Sequence, residues 1–335
     1  MSPNAIVASL SESRALAAAI ASAAEVALLP IEERQFEGGE FKLRPLESVR
    51  GRTVFVLQSL AASDSAPVSE RLLRLLFLLQ GLRDAGVQST VALLPYLAFA
   101  RKDRRTQLRD PVTSRYVAEL LESTHISCAV GLDVHNPAAF DNAFRIPTIH
   151  LTALPMLAAH VSAHSKTTTL VVVSPDIGGI KRAQLFCERL AAHLGRDIDL
   201  AFVSKRRARD VVSGGSLSGD VAGRTAIVLD DLCATGGTLI RAAQACRNAG
   251  AESVRVAVTH APMASGLEAL LAADAISAII VTDSTGLDFP ATSSASAAGR
   301  LTTLSVAPLF AQTVRRMIAG GPIGPLREQW PPPLE

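Results

Sequence analysis

Two adjacent carboxylates, Asp230 and Asp231, precede the run Thr235, Gly236, Gly237, Thr238 in the stretch A-I-V-L-D-D-L-C-A-T-G-G-T at residues 226–238. Carboxylate oxygens accept hydrogen bonds and so suit the hydroxyls of a sugar. The loop suits a phosphate: glycines let backbone N–H groups converge, threonine hydroxyls add donors, and a following helix N-terminus adds a favourable dipole. A Gly-Gly turn taken alone more often does no more than cap a helix. Two acids immediately before such a loop are much rarer, and the pair makes the segment a candidate for a phosphorylated sugar.

Four further segments carry groups that could do chemistry. Arg101, Lys102, Asp103, Arg104 and Arg105, with Arg109 beyond, follow the strand-like L-L-P-Y-L-A-F-A, and form either a solvated charge run or an anion site at a strand end. Asp133 and His135 alternate along an extended segment and share a face. They are either structural or part of the shell of a Mg2+ ion, which fills its coordination largely with phosphate oxygens and water. Asp176, in S-P-D-I-G-G, either caps the helix that follows or faces a metal-bound phosphate. Lys205, Arg206, Arg207 and Arg209 stand before the Gly/Ser-rich run V-V-S-G-G-S-L-S-G-D, read as a flexible loop. This is either a solubilising turn or a lid whose cations meet charge developing in phosphoryl transfer.

The elements that position these groups alternate between β-like and helical patterns, which predicts parallel sheets covered on both faces. Strands are expected at 4–8, 53–58, 89–94 and 126–131, with helices near 11–23, 67–86 and 112–123. A second series has strands at 169–173, 199–204, 225–229, 253–259 and 277–282, with helices near 179–193, 237–249 and 264–273. The two halves read as two copies of one architecture without a residue-level repeat. The expected domains are 1–152, joined by a last strand and helix at 301–319, and 153–300, with a Pro/Gly-rich tail at 320–335 as a surface extension.

At 335 residues and 48% hydrophobic content, the chain can bury a core in each of two domains. A formal net charge of +2 and only 4% aromatic residues argue against a general nucleic-acid surface. The four cysteines are scattered without a C-x-x-C pair, favouring a reducing, cytoplasmic setting over a disulfide framework or zinc site. No signal peptide is expected. The most apolar run, 72–82, is interrupted by Arg74 and flanked by Arg71 and Arg83, so it reads as a buried helix rather than a membrane span.

The 226–238 segment resembles the phosphoribosyl-binding motif of type I phosphoribosyltransferases and of phosphoribosyl pyrophosphate synthetases. Taken together, the segments resemble the synthetases (ribose-phosphate pyrophosphokinases) from about residue 4 to 318, whereas a simple phosphoribosyltransferase accounts only for the second half. The resemblance implies two type I phosphoribosyltransferase-like α/β domains, each a doubly wound, mainly parallel sheet flanked by helices. P-Y-L-A-F-A-R-K-D-R-R is similar to the family's P-Y-F-x-Y-A-R-Q-D-R, which assigns Arg101, Lys102 and Arg104 to ATP. D-V-H-N resembles D-L-H-A and makes His135 a ligand of the Mg2+ on the ATP phosphates. S-P-D-I-G-G matches S-P-D-x-G-G, so Asp176 positions the metal-bound ribose substrate. S-K-R-R resembles D-K-R-R, whose lysine and second arginine stabilise the transition state, here Lys205 and Arg207. Asp230 and Asp231 then hold the ribose hydroxyls, and Ala234, Thr235, Gly236, Gly237 and Thr238 the 5-phosphate. Phe36 through Glu40 resemble the F-x-D-G-E segment, which places Phe36 and Glu40 at the adenine site of a neighbouring subunit in a homo-oligomer.

The sequence departs from the family at Gly38 and Ala234, each in a place where an acid is common, and in the residues after Asn136, as befits a divergent member. The implied reaction is attack of the anomeric hydroxyl of ribose 5-phosphate on the β-phosphorus of Mg-ATP, releasing AMP, with no covalent nucleophile and Cys233 a packing residue. The competing readings are a phosphoribosyltransferase that consumes phosphoribosyl pyrophosphate and a non-catalytic regulatory paralogue of the synthetases.

Overall fold

A computed structural model describes residues 4–63, 66–165, 169–204, 216–286, 299–328 and 330, together with the backbone of 207, 208, 211 and 212. Lys205 and the Arg207 side chain lie outside the described residues. The chain divides into two compact units, Met1–Thr152 with Ser284–Gly286 and Ser305–Glu335, and Ala153–Asp283 with Leu287–Leu304.

The first unit opens with β1 (Ala5–Ser9), α1 (Arg14–Ala24), β2 (Ala27–Leu28) and a hairpin of β3 (Ile31–Gln35) and β4 (Phe41–Pro45). It continues through β5 (Thr53–Leu57), α2 (Val68–Asp84), β6 (Ser89–Leu94), α3 (Thr113–Ser123), β7 (Cys128–Leu132), α4 (Pro137–Ala143) and β8 (Thr148–Leu151). Six strands form one parallel sheet in the order β2-β1-β5-β6-β7-β8. Unbroken apolar runs dictate this: every residue of β1 and β7 is buried, as expected of strands covered on both faces. On α2, Leu72, Leu75, Leu79 and Leu82 recur at helical spacing and enter the core beside Val54, Val56 and Ala92. The chain moves from β1 outward to β2 and returns on the other side as β5, so the carboxyl ends of β1 and β5 form the switch point of this sheet.

The second unit runs α5 (Leu154–Ala163), β9 (Leu170–Ser174), α6 (Ile180–Leu194), β10 (Asp199–Ser204), the short antiparallel pair β11 (Arg207–Ala208) and β12 (Val211–Val212), and β13 (Ser216–Ser218). It continues with β14 (Thr225–Leu232), α7 (Gly237–Asn248), β15 (Ser253–His260), α8 (Ala264–Ala272), β16 (Ala278–Thr282) and β17 (Leu301–Leu304). The sheet order is β13-β10-β9-β14-β15-β16-β17, parallel except for the edge strand β13. Its switch point falls between β9 and β14.

Two sequence expectations are corrected. The strand and helix of 301–319 do not join the same unit: L-T-T-L extends the second sheet, pairing Ile279 with Leu301 and Thr282 with Leu304, whereas α9 (Ala307–Ala319) belongs to the first unit and packs on α1. An exposed parallel edge captures the strand, while the apolar stripe Leu309, Phe310 and Val314 is buried in the other core. The run expected as a flexible loop after Lys205 contains β13, whose Phe202↔Ser218 register fastens it to β10. In the tail, residues Gly324–Arg327 form a 3-10 turn with Leu326 buried.

Candidate active site

In the second unit the candidate site residues gather at the switch point. β14 carries Asp230 and Asp231 within its last turns of pleat, and α6 returns Arg182 over them: Nη1 lies 3.0 Å from Asp230 Oδ1 and 3.1 Å from Asp231 Oδ1. The Asp231 backbone N–H also donates to Asp230 Oδ1 at 2.9 Å. Burial, joined by the neighbouring Asp231, outweighs the arginine and pushes the Asp230 carboxyl up to about 8. A carboxylate whose folded pKa is raised costs stability as pH climbs from its unfolded value toward the folded one. Asp230→Asn is therefore expected to raise Tm above that of the parent by a margin that widens from about pH 5 to about pH 8. Scanning calorimetry across that window checks this, and a pH-independent margin contradicts it.

The loop after β14 turns at Gly236, whose φ of +76° puts the backbone in the left-handed region, and α7 begins at Gly237 with no side chain capping its first turn. Its N-terminal N–H groups are thus left for an anion. The loop is braced by α8: a Cβ on Gly266 would lie 2.1 Å from the Ala234 carbonyl oxygen, so only glycine permits this approach. Thr235 is exposed and Thr238 accepts from Arg241 Nη2 at 3.2 Å. Cys233 is buried, and burial holds its thiol up at about 11, as a packing role requires.

Asp176 sits at the carboxyl end of β9. Its Oδ1 accepts from the Gly179 N–H at 3.1 Å, capping the 3-10 turn Ile177–Gly179, and Ser174 Oγ donates to the Asp176 carbonyl at 2.7 Å. One carboxylate oxygen thus serves the cap, and the other has no partner among the described residues.

In the first unit the basic segment and the D-V-H-N segment are joined. Asn136 caps α4, accepting from the Ala139 N–H at 3.2 Å, while its Nδ2 donates to Asp103 Oδ2 at 2.6 Å. Arg101, Arg104, Arg105, Arg109 and His135 are exposed. Lys102 is not presented in the same way: its Nζ is bound by Asp110, and also donates to Thr106 Oγ1 at 3.1 Å. The lysine and the hydroxyl and backbone of Thr106 hold the Asp110 carboxyl far below the usual carboxylate range. Phe99, Arg109 and Asp133 adopt φ of 63°, 67° and 37°. Strain of this kind, worth about 1 kcal/mol or more each, concentrates where a backbone is shaped for function.

The Phe36–Glu40 segment is the tip of the β3–β4 hairpin, where Gly38 and Gly39 both have positive φ. Phe36 is 41% exposed and lies under Arg34, whose Cζ is 4.9 Å from the ring centroid. The hairpin rests on α2 through Phe41 and Phe77 and through Arg74, which meets Glu33 at 2.5 Å.

The two switch points differ in one telling respect. In the first sheet Ser9 pairs with Leu57, and in the second the register Val173↔Val228 sets Ser174 beside Leu229. The positions of Asp230 and Asp231 thus correspond to Gln58 and Ser59, so the paired carboxylates belong to the second unit alone. Arg182, Gly266 and Asp110 escaped the sequence reading, since each acts on a partner that only folding identifies.

Among the described residues no helix is long and apolar enough to cross a membrane, and no cluster of three or more His, Cys, Asp or Glu residues forms a ready-made metal site. Comparison with known proteins covers most of the chain. The family profile for the N-terminal domain of ribose phosphate pyrophosphokinase matches residues 5–124, and that for the phosphoribosyl transferase domain matches residues 151–287. Ribose-phosphate pyrophosphokinases of Granulibacter bethesdensis and Brucella melitensis are 35% and 34% identical, each covering 91% of this chain and 94% of that protein. The crystal structure of phosphoribosylpyrophosphate synthetase from Mycobacterium smegmatis superposes with a TM-score of 0.83 at 32% identity, covering 95% of this chain and all of that one. With this identity along both units, the chain belongs to the ribose-phosphate pyrophosphokinase family.

Proposed function

We propose that the protein transfers the pyrophosphoryl group of Mg-ATP to the anomeric hydroxyl of ribose 5-phosphate, giving 5-phosphoribosyl 1-pyrophosphate and AMP. The observation that carries this reading is the carboxylate pair Asp230 and Asp231 standing before an uncapped helix N-terminus, a site with one end for sugar hydroxyls and the other for a phosphate. Sugar hydroxyls donating to the pair favour its ionised form, which the free protein holds back at Asp230. Ala234 through Thr238 receive the 5-phosphate. Arg101, Lys102, Arg104 and His135 serve ATP, and Lys102 exchanges Asp110 for a phosphate oxygen.

In the transfer, a bond forms from the anomeric oxygen to the β-phosphorus. The bond from that phosphorus to the α,β-bridging oxygen breaks, AMP departs with the electron pair, and the hydroxyl proton passes to solvent. Lys205 and Arg207 face the charge spread over the transferred group. Asp176, with one carboxylate oxygen outside its cap, fits the shell of a Mg2+ ion, which needs only one or two protein ligands beside phosphate and water. His135, exposed just beyond the end of β7, is offered to the Mg2+ of the ATP phosphates, although imidazole is a softer donor than this ion prefers. When bound, Mg2+ supplies neutralisation of phosphate charge and fixes the phosphates' orientation. The exposed hairpin tip with Phe36 and Glu40 supports a homo-oligomer in which that tip reaches the adenine of a neighbouring subunit. The four buried, unpaired cysteines support a reducing, cytoplasmic setting.

Incubated with Mg-ATP and ribose 5-phosphate, the purified protein is expected to yield AMP and 5-phosphoribosyl 1-pyrophosphate. A folded sample that binds ATP and yields neither contradicts the reading and points to the regulatory paralogue. Release of pyrophosphate from added 5-phosphoribosyl 1-pyrophosphate and a nucleobase points to a phosphoribosyltransferase.

A further inference from the structure

Arg182 is the third residue of α6, the helix that opens directly after the turn holding Asp176, and this placement brings it back over the carboxyl end of β14. A single nitrogen, Nη1, reaches both aspartates, at 3.0 Å from Asp230 Oδ1 and 3.1 Å from Asp231 Oδ1. The three side chains are largely enclosed, with exposures of 20% for Arg182, 20% for Asp230 and 7% for Asp231. In such surroundings two neighbouring carboxylates repel strongly, and an ion pair counts for more than it does on an open surface.

We propose that Arg182 is a positioning residue for the ribose subsite: it fixes the rotamers of Asp230 and Asp231 on one nitrogen and offsets their charge, so that the pair meets the ribose hydroxyls as an acceptor. The proposal rests on the reading of the two aspartates as the sugar-binding pair. Without the guanidinium the pair retains a proton more readily. A protonated carboxyl has fewer acceptor sites and lacks the charge that strengthens hydrogen bonds donated by the hydroxyls.

The test measures KM for each substrate and kcat in Arg182→Met, Arg182→Lys and Asp230→Asn, with melting curves to confirm the fold. Arg182→Met is expected to raise KM for ribose 5-phosphate by roughly 10-fold to 100-fold, the worth of charge-assisted hydrogen bonds, with KM for ATP within about twofold. Arg182→Lys is expected to recover a large part of that loss, because one cationic nitrogen makes both contacts. If the methionine variant does not fold, Arg182→Gln, which keeps a donor but no charge, takes its place with the same expected rise. Unchanged KM for ribose 5-phosphate in the arginine variants, with a raised value in Asp230→Asn, overturns the positioning role and leaves the sugar reading standing. An unchanged value in Asp230→Asn overturns the sugar reading itself. A lysine variant as impaired as the methionine one, or an equal rise in both KM values, overturns the proposal in favour of a general structural role.

Discussion

Lys205→Ala is expected to lower kcat by roughly 10²-fold to 10³-fold while KM for ATP and for ribose 5-phosphate stays within about twofold, the signature of a contact made only in the transition state. The lysine follows β10 directly in the sequence, and β10 lies beside β9, which delivers Asp176. A transferred pyrophosphoryl group spreads negative charge over its equatorial oxygens as the bond to the α,β-bridging oxygen loosens. A cation that meets that charge late lowers the barrier without tightening ground-state binding. Steady-state kinetics separates the cases: normal turnover removes Lys205 from the mechanism, and an increase in KM alone makes it a binding residue.

A methyl group on Gly266 is expected to act from behind the phosphate loop. Its Cβ would stand 2.1 Å from the Ala234 carbonyl oxygen and 2.9 Å from the Ala234 carbonyl carbon, so helix or loop must move. Gly236, next in the same loop, has its own Cβ direction closed by the Gly266 carbonyl at 2.9 Å. The two glycines thus let α8 and the loop backbone meet without side chains between them. Overpacking of this kind costs about 1–3 kcal/mol, which lowers Tm by roughly 3–10 °C in a domain of this size. Because the displaced atoms are those proposed to receive the 5-phosphate, Gly266→Ala is also expected to raise KM for ribose 5-phosphate about tenfold or more, while KM for ATP changes little. A thermal scan with both KM values checks this. An unchanged Tm together with an unchanged KM for ribose 5-phosphate contradicts the bracing of the loop by α8.

The parts of the molecule that the sequence disclosed are those whose physics is local. T-L-V-V-V and A-I-V-L are apolar without a break and became β9 and β14, buried on both faces. Gly-Gly after paired acids announced the turn into α7. Asp176 offered a cap or a phosphate neighbour, and the cap is formed. The hairpin of β3 and β4 escaped because neither face is buried enough to impose alternation: I-E-E-R-Q is at best half-buried along its length. Helix α5 escaped for the opposite reason, since most of L-P-M-L-A-A-H-V-S-A is buried and shows no polar face to mark a period. Arg182 and Gly266 were invisible because their roles depend on where distant residues arrive: Asp230 is 48 positions from Arg182. The strand of 301–304 joins the second sheet rather than the first, because an apolar run does not say which edge it will meet.

The β,γ-pyrophosphoryl group is expected to move intact to the anomeric oxygen. Phosphorus NMR of a reaction of the protein with Mg-ATP and ribose 5-phosphate tests it most directly, since every product is resolved in one spectrum. AMP and 5-phosphoribosyl 1-pyrophosphate are expected in equal amounts with no ADP. Formation of ADP with a ribose bisphosphate, or an unchanged spectrum from folded, ATP-bound protein, would contradict it.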